Sequence, residues 1–149
     1  VGLHVTENND ITSKSITPKP GESVGRLAVM NGDKGVVEYT ELPAGSEDKF
    51  TNANIGIHMY SMDFLNKAAN GDMPYHLALK KLEHLDDDLN VVKEEVLKFE
   101  KFYFDAFKYA VKHNTLQVDR TGEFSPLKNK AGNDSIETAL KDLTEEGLI

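Results

Sequence analysis

The sequence predicts an α/β fold in which helices pack on a mixed β-sheet. Short β-rich runs alternate with amphipathic helical stretches, which is typical of this class. A length of 149 residues is close to the commonest size for one domain with one core. The hydrophobic content of 39% and the charged content of 28% are those of an ordinary globular protein. Only three or four strands are evident, so the predicted sheet has open edges.

Four β-type segments are predicted in the first half of the chain. A short extended segment covers Ile11 to Thr17, and two β-rich runs cover Arg26 to Met30 and Gly35 to Glu41. The four residues between these two runs, Asn31-Gly32-Asp33-Lys34, contain an Asn-Gly pair that readily takes the positive φ of a tight hairpin. A further strand is predicted over Ala53 to Tyr60.

Two helices are predicted after this strand. Ser61 is suited to cap a short helix, and Pro74 is suited to the first turn of the next one. The second helix carries an apolar stripe at positions i, i+3, i+4 and i+7, made by Tyr75, Ala78, Leu79 and Leu82.

The second half of the chain is predicted to hold two further helices and a short β-type run. An aromatic-rich helix is predicted from about Leu97 to Val111, and the β-type run covers Thr115 to Asp119. The last helix starts near Ser135, where Asp134 and Glu137 have the spacing of a capping-box variant. Gly147 is a suitable stop for this helix.

Composition excludes several classes of function. The formal net charge of −8 and the lack of a Lys/Arg cluster argue against nucleic acid as a partner. No apolar run approaches the length that spans a bilayer, so no membrane association and a cytoplasmic location are predicted. The absence of cysteine excludes disulfides and thiolate chemistry, and the five histidines lack metal-ligand spacing.

Two lysines have unusual predicted settings. Lys98 lies at the start of the predicted aromatic helix, where the helix dipole favours anions, so a phosphate between the two would explain it. Lys128 lies on a loop whose backbone is restricted by Pro126. The alternative for both is a solvated surface lysine, which is what most lysines are.

Glu38 and Asn54 are polar residues in apolar β-type segments. Alternation gives Glu38 the same face as Val36 and Thr40, where a carboxylate requires a hydrogen-bonding partner such as a sugar hydroxyl. Asn54, beside Gly56, could also bind hydroxyl groups. The alternatives are a half-exposed position for Glu38 and a turn-closing role for Asn54.

Aromatic side chains cover more than one face of the predicted helix Leu97 to Val111. Phe99, Tyr103 and Phe107 form one stripe, whereas Phe102 and Phe104 fall outside it. A helix buried on two sides would explain this pattern. Alternatively, Phe102 or Phe104 forms the wall of a ligand pocket.

Four motifs in this order carry a family resemblance: VVEYTE (36–41), NANIGIH (52–58), LKFEKFYFD (97–105) and EFSPLKN (123–129). The chain resembles the uridylyltransferases of the UDP-sugar pyrophosphorylase family, above all the UDP-N-acetylglucosamine pyrophosphorylases. The resemblance runs from about Ser23 to Asn129, and the segments KPGESVGRL and FTNANIG are most similar to the bacterial branch.

The resemblance implies a Rossmann-like nucleotidyltransferase domain that joins UTP to a sugar 1-phosphate and releases pyrophosphate with Mg²⁺. Residues 1–149 would be the sugar-binding half of this catalytic domain, without the UTP-binding N-terminal half. The glycine-rich loop, the uracil-binding segment and the magnesium-binding aspartate of the family are not in this sequence. The Mg²⁺ ligands are therefore expected outside the chain, which is expected to be inactive by itself.

Substrate-binding roles follow from the same resemblance, position by position. Gly25 looks like the glycine whose backbone lies against the nucleotide sugar, and Glu38 and Asn54 resemble the pair that holds the hexose. Gly56 matches a small residue beside the N-acetyl group.

The resemblance also assigns an aromatic wall and two catalytic cations. Phe102 and Phe104 match the aromatics of the sugar pocket. Lys98 resembles a lysine that meets the UTP phosphates, and Lys128 one that meets the phosphate of the sugar.

Two other functions stay open at this point. A sugar-nucleotide binding module without catalytic activity would share the same residues, and an acidic interaction domain would need no small ligand. Within the enzyme hypothesis, the sugar could be N-acetylglucosamine, glucose or N-acetylgalactosamine, so a UDP-glucose-type pyrophosphorylase is a further alternative.

Overall fold

The computed structural model describes residues 1–30 and 32–149. The described residues form three α-helices, α1 Gly2–Thr6, α2 Met62–Ala69 and α3 Ile136–Glu145. They also form seven strands: β1 Ile11–Ile16, β2 Arg26–Met30, β3 Asp33–Val37, β4 Ala53–Tyr60, β5 His76–Leu85, β6 Val91–Glu100 and β7 His113–Gln117. Short 3₁₀ helices cover Glu47–Lys49 and Tyr103–Tyr109, and the second is called the aromatic 3₁₀ helix below. No helix in the described part of the chain is long and apolar enough to cross a membrane.

Five strands form a mixed sheet in the order β3-β2-β4-β1-β7, which confirms the predicted α/β class with a mixed sheet. Strand β1 pairs with β4 in antiparallel fashion and with β7 in parallel fashion. The remaining two strands, β5 and β6, form a separate antiparallel hairpin. The fold therefore consists of a sheet body and a two-stranded arm.

Strand β1 is buried along most of its length although four of its six residues are polar. Ile11 and Ile16 are completely buried, and so are Ser13 and Ser15. The Ser13 hydroxyl lies 2.8 Å from Nδ1 of His58 and 2.7 Å from Nε2 of His113. Ser15 donates a 2.8 Å hydrogen bond to Oδ1 of Asn52. These bonds offset the cost of burying hydroxyl groups in the centre of the sheet.

The main core lies between this sheet, helix α2 and the aromatic 3₁₀ helix. The predicted N-cap of α2 is confirmed, because the Ser61 hydroxyl accepts a hydrogen bond from the Phe64 N–H at 3.2 Å. The helix thereby directs Phe64 inward, where it stacks on Tyr60. The buried members of the core are Ile11, Val36, Phe64, Phe104, Ala106 and Phe107.

The hairpin formed by β2 and β3 confirms the predicted pairing and corrects its extent. Arg26 lies opposite Val37, and Met30 lies opposite Asp33. Gly32 has a φ of +91°, as expected for a tight turn, whereas Asn31 lies outside the described residues. The predicted second run, Gly35 to Glu41, is actually a strand that ends at Val37, so Glu38 follows the strand instead of lying in it.

The helix predicted after Pro74 is wrong, because residues 76–85 form strand β5. Ten residues of β5 pair with ten of β6, from His76 opposite Glu100 to Leu85 opposite Val91. The turn between them is fixed by Asp86, whose carboxylate accepts hydrogen bonds from the N–H groups of Asp88 and Asn90 at 3.0 and 2.8 Å. The four apolar residues at helical spacing were misleading, because a short apolar run is compatible with both a helix and a strand.

The helix predicted from Leu97 to Val111 is also wrong. Residues up to Glu100 belong to β6, and Phe102 has the extended backbone angles φ −103° and ψ 130°. Only Tyr103–Tyr109 is helical, and it is a 3₁₀ helix. Aromatic residues favour strands as well as buried helices, and pairing with β5 uses the first part of the segment as a strand.

The C-terminal elements agree with the prediction with small shifts. Strand β7 is His113–Gln117 instead of Thr115 to Asp119. Helix α3 starts after Ser135, and Thr138 Oγ1 accepts a 2.9 Å hydrogen bond from the Ser135 N–H, which replaces the predicted Asp134–Glu137 pair. Gly147 has a φ of +68° just beyond the helix, as a stop residue should.

The free energy of unfolding should depend on pH because of the two histidines that contact Ser13. Burial lowers the pKa of both His58 and His113 to about 4, from about 6.5 in an unfolded chain. Because the folded form binds protons less readily, the stability they contribute is complete above about pH 6.5 and is lost as the pH falls towards 4. We expect a loss of about 3 kcal/mol in the free energy of unfolding, after allowing for the partial exposure of His58.

Urea unfolding between pH 7.5 and 4 measures this loss. His113→Gln should make the pH dependence shallower, since one of the two titrating groups is removed. His84→Gln, which changes an exposed histidine of β5, is the control and should leave the slope unchanged. Equal slopes in His113→Gln and the unchanged protein would contradict the assignment.

Candidate functional site

Gly25, Glu38 and Asn54 meet where β2 joins β4. Gly25 is buried, and a Cβ atom placed on it would lie 2.8 Å from Val36 Cγ1 and 3.2 Å from Glu38 Oε1. The Gly25 carbonyl accepts a 2.8 Å hydrogen bond from the Asn54 N–H. The missing side chain of Gly25 therefore allows the Glu38 carboxylate to approach the backbone directly.

Lys128 reaches the same region from the C-terminal part of the chain. Its ammonium group donates a 2.8 Å hydrogen bond to the Ser23 carbonyl, two residues before Gly25. The loop that carries it is held at both sides, because the Lys128 N–H donates to the Asp134 carbonyl at 2.7 Å and Ser125 donates to Asp142 of α3 at 2.6 Å. One bond to Ser23 leaves two of the three ammonium protons available for a ligand.

An ion pair fixes the segment that Lys128 contacts. Arg120 donates to both carboxylate oxygens of Glu22 at 2.7 and 2.6 Å, and the Glu22 side chain is only 8% exposed. The guanidinium group also lies over the ring of Phe124, 5.4 Å from its centroid. Both bonds come from Nη2 of Arg120, and hydrogen bonds between charged groups are stronger than neutral ones. They hold residues 22–25 in place beneath Lys128.

The Glu38 carboxylate experiences opposing influences. Burial and the nearby carboxylate of Glu41 raise its pKa, and Glu100 acts in the same direction. The charges of Lys128 and His76 act to lower the pKa. Glu38 is therefore a partly buried acceptor whose ionisation depends on two neighbouring cations, and a sugar hydroxyl is a donor that suits such a group.

Phe102 and Phe104 form an aromatic stack beside these residues. Their ring centroids are 4.8 Å apart with an interplanar angle of 17°, and the centroid of the His76 ring lies 4.7 Å from that of Phe102. Phe104 is buried in the core, whereas Phe102 is partly exposed. Of the two rings, Phe102 is the one that a ligand near Glu38 can reach.

Lys98 has a different setting from the predicted one. It lies within β6 and not at a helix start, so the helix-dipole argument does not apply. The ammonium group is hydrogen-bonded to Glu100, and the side chain is 43% exposed. Because Glu100 also acts on the pKa of Glu38, Lys98 lies at the outer end of the same network of charges.

Gly56 lies on an irregularity of β4. Two residues of β1, Ser13 and Ser15, pair with His58 and Asn54, so the intervening part of β4 bulges out of the ladder. Gly56 has a φ of +76°, which favours glycine, and its N–H donates to Asn54 Oδ1 at 3.2 Å. The bulge therefore sets the orientation of the Asn54 amide.

The structure thus brings Gly25, Glu38, Asn54 and Lys128 together, with Phe102 and Lys98 connected to them through His76 and Glu100. Sequence reasoning missed His76 and its partner Asp105, because nothing in their spacing distinguishes them from core residues. Among the described residues, no group of three or more His, Asp or Glu side chains could hold a metal ion.

A cleft of about 430 Å³ lies elsewhere, between the β2–β3 hairpin and β7. Its polar lining includes Lys34, Lys49, Asn52 and His113. The residues predicted to bind substrate do not line it. The candidate site is therefore the convergence around Gly25 and Glu38, and not this cleft.

Comparisons with known proteins give a consistent result. The chain is 40% identical over 128 residues to UDP-N-acetylglucosamine diphosphorylase 2 of Arabidopsis thaliana, covering 76% of this chain and 24% of the relative. It is 33% identical over 159 residues to UDP-N-acetylglucosamine pyrophosphorylase of Saccharomyces cerevisiae, covering 93% of this chain and 33% of the relative. No protein-family model matches the chain.

A solved structure of similar fold supports the sequence comparisons. The uridine diphosphate N-acetylglucosamine pyrophosphorylase of Trypanosoma brucei, in complex with an inhibitor, superposes with a TM-score of 0.80 at 30% identity. The superposition covers 97% of this chain and 31% of that protein. The chain spans roughly a third of the length of its relatives. The Arabidopsis, Saccharomyces and Trypanosoma proteins are all eukaryotic, and the predicted bacterial affinity stays a prediction.

The contact between Gly25 and Glu38 predicts the effect of adding a methyl group. Gly25→Ala places a Cβ against Val36 and the Glu38 carboxylate, so one of them has to move. We expect a loss of about 1–3 kcal/mol in the free energy of unfolding, typical of an overpacked position. Urea denaturation measures it, with Gly2→Ala as control because a Cβ there meets nothing within 4 Å. Equal stability of the two variants would contradict the close approach.

Proposed function

The chain is homologous over nearly all of its length to the UDP-N-acetylglucosamine pyrophosphorylases, and we propose that it is the sugar-binding part of such an enzyme. The complete enzyme would transfer UMP from UTP to N-acetylglucosamine 1-phosphate, giving UDP-N-acetylglucosamine and pyrophosphate. As the chain covers roughly a third of its relatives, this activity is a proposal for a longer protein that contains it.

One observation carries the proposal: a cation, a partly buried carboxylate and the backbone of a glycine meet at one place. Gly25 and Glu38 come from the N-terminal part of the chain and Lys128 from the C-terminal part, and they converge through the Ser23 carbonyl and the Gly25–Glu38 contact. A sugar 1-phosphate needs both a cation for its phosphate and an acceptor for its hydroxyl groups. The convergence supplies both within one region.

The remaining substrate contacts are proposed from this geometry. Asn54, whose amide is oriented by the Gly56 bulge, would hold the hexose together with Glu38. Gly56 would leave room for the N-acetyl group, since nothing lies within 4 Å of the position of its absent Cβ. Phe102, backed by Phe104, would pack against the sugar ring.

The proposed reaction requires no covalent enzyme intermediate. A phosphate oxygen of the sugar 1-phosphate attacks the α-phosphorus of UTP, the bond from that phosphorus to the bridging oxygen breaks, and pyrophosphate leaves. Catalysis then depends on alignment of the two substrates and on cations that oppose the charge of the transition state. Lys128 would align the sugar phosphate. Lys98 would break its hydrogen bond to Glu100 and bind the UTP phosphates instead.

Magnesium is proposed for the longer enzyme and not for this chain. The described residues hold no group of acidic or histidine side chains that could ligate it, so no step here is assigned to the metal. When bound, Mg²⁺ would neutralise charge on the triphosphate. The UTP-binding half, the inactivity of the isolated chain and a cytoplasmic location likewise stay predictions.

The arm formed by β5 and β6 supports the proposal that further polypeptide packs on this chain. One face of the arm exposes Leu77, Leu79, Leu97 and Phe99, each about 60% accessible, with Tyr75 against Phe99. A two-stranded hairpin by itself is marginally stable in water, and a contiguous apolar face is typical of a covered surface. We propose that the missing part of the same enzyme covers it.

The competing function is a sugar-nucleotide binding module without catalysis. The two hypotheses differ in the longer protein, which should carry a glycine-rich phosphate-binding segment upstream if it is an enzyme. Pyrophosphate release by that protein is the decisive measurement, with UTP and either N-acetylglucosamine, N-acetylgalactosamine or glucose 1-phosphate. Highest activity with N-acetylglucosamine 1-phosphate supports the proposal. Binding without pyrophosphate release supports the module, and preference for glucose 1-phosphate supports the UDP-glucose-type alternative.

Lys128→Ala in the longer enzyme tests the catalytic role of this lysine. Removing a preorganised cation should lower kcat about a hundredfold, because the transition-state charge loses its partner. Lys130→Ala changes an exposed lysine of the same loop and should leave kcat within about twofold, as for surface positions generally. Steady-state pyrophosphate release measures both. A rate within about twofold for Lys128→Ala would show that the residue has no catalytic role.

A further inference from the structure

His76 is held between two carboxylates, one at each ring nitrogen. Nε2 lies 2.9 Å from Asp105 Oδ2, and Nδ1 lies 3.5 Å from Glu41 Oε1. The ring also lies against Phe102, and the side chain is 25% exposed. Because a neutral imidazole has only one N–H, both carboxylates can act as acceptors only when the ring is protonated. The arrangement therefore suits an imidazolium ion.

These contacts connect three separate parts of the fold. His76 is the first residue of the arm, Asp105 belongs to the aromatic 3₁₀ helix, and Glu41 follows β3. Glu41 and Glu38 belong to one turn, since the Glu41 N–H donates to the Glu38 carbonyl at 2.9 Å. A contact to Glu41 therefore also restrains the turn that presents Glu38.

Negative charge predominates around this histidine. Glu100 lies directly opposite His76 in the hairpin, Asp105 and Glu41 contact the ring, and Glu38 is close enough to interact electrostatically. The opposing cations are Lys98, paired with Glu100, Lys80, which acts on Glu100, and Lys128, which acts on Glu38. Lys128 and His76 both act on Glu38, and His76 also contacts its turn through Glu41.

We propose that His76 is a positioning residue of the sugar site: as an imidazolium it restrains the Glu38–Glu41 turn and balances the negative charge around the Glu38 carboxylate. The inference rests on the proposed function insofar as Glu38 binds the sugar. His76 acts through Glu38 and touches no reacting atom. Its effect should therefore appear in the binding of sugar 1-phosphate and not in the binding of UTP.

A pH dependence follows from the same contacts. Burial acts to lower the pKa of His76, but the hydrogen bond and charge of Asp105 and those of Glu41 outweigh it, so the pKa is raised. A raised pKa means that the charged ring is present below its ordinary value near 6.5 and is lost as the pH rises through the folded-state value. The affinity for sugar 1-phosphate should therefore fall as the pH rises through the folded-state pKa of His76.

The titration of Glu38 in the 149-residue chain tests directly whether the charge of His76 acts on the Glu38 carboxylate. Carbon-detected NMR follows the side-chain carboxyl of Glu38 in the unchanged chain, in His76→Gln and in His84→Gln. We expect the midpoint to move to higher pH in His76→Gln, because a cation is lost. His84 lies on the same face of β5 at the exposed end of the arm, and its variant should titrate like the unchanged chain. An unmoved midpoint in His76→Gln overturns the proposal.

His76→Lys and Asp105→Asn complete this experiment. The lysine variant restores a positive charge and should return the Glu38 midpoint towards that of the unchanged chain, whereas failure to do so overturns the electrostatic part of the proposal. Asp105→Asn should lower the pKa of His76 measured from its ring resonances. This second variant also keeps the proposal testable if His76→Gln does not fold.

Kinetics of the longer enzyme test the consequence for the sugar. His76→Gln should raise KM for N-acetylglucosamine 1-phosphate about tenfold, the expected cost of weakening a hydrogen bond to a charged group, and leave KM for UTP within about twofold. An equal rise in both KM values overturns the positioning role. If the unchanged enzyme releases no pyrophosphate, the proposed function fails, while the Glu38 titration still decides whether His76 controls the carboxylate.

Discussion

The close approach of the Gly25 backbone to the Glu38 carboxylate is the constraint on which the candidate site depends. There is no space for a side chain at residue 25, since its Cβ would lie 2.8 Å from a core valine that is 5% exposed. The same glycine accepts a hydrogen bond from Asn54 in the neighbouring strand. Strand pairing, core packing and the position of the carboxylate are thus determined together. A shift of any one of them would move the other two.

A second constraint is the polar centre of the sheet. Strand β1 is the only described strand paired with both β4 and β7, and its buried serines bond to side chains of both neighbours and of the segment before β4. A one-residue slip would move every side chain of β1 to the opposite face of the sheet and break these hydrogen bonds, so they help to fix the register. The register of β4 in turn positions the bulge at Gly56 and the amide of Asn54. The polar residues of β1 therefore contribute to the geometry of the site through the strand that carries Asn54.

The sequence predicted the sheet body well and the arm poorly. Strands β1, β2 and β4 and helices α2 and α3 carry local signals, such as alternation, an Asn-Gly pair or a serine cap, that do not depend on distant residues. The segment from Tyr75 to Tyr109 lacks such signals, because its leucines and phenylalanines fit both helical and strand periods. Pairing of β5 with β6 decides between them, and this is a non-local interaction that no short window of sequence contains.

The candidate site likewise contains some residues that the sequence predicted and others that it did not. The family resemblance indicated which residue types matter, and the structure shows that four of them, Gly25, Glu38, Asn54 and Lys128, meet in one region. Motifs alone could not reveal His76 or Asp105, since their significance lies in a contact between β5 and the aromatic 3₁₀ helix. Likewise, the predicted helix-dipole setting of Lys98 failed because its helix does not exist, although the residue still joins the network of charges through Glu100.

The position of Lys98 relative to Lys128 depends on how the arm is attached to the sheet body. Lys98 lies on the arm, whereas Lys128 is bonded to the body at Ser23. The arm meets the body at its base, where His76 contacts Asp105 and Glu41 and where Phe102 stacks on Phe104. The proposed in-line displacement would be sensitive to the alignment of the groups that hold its two substrates. The contacts at the base of the arm consequently contribute to where Lys98 lies relative to Lys128.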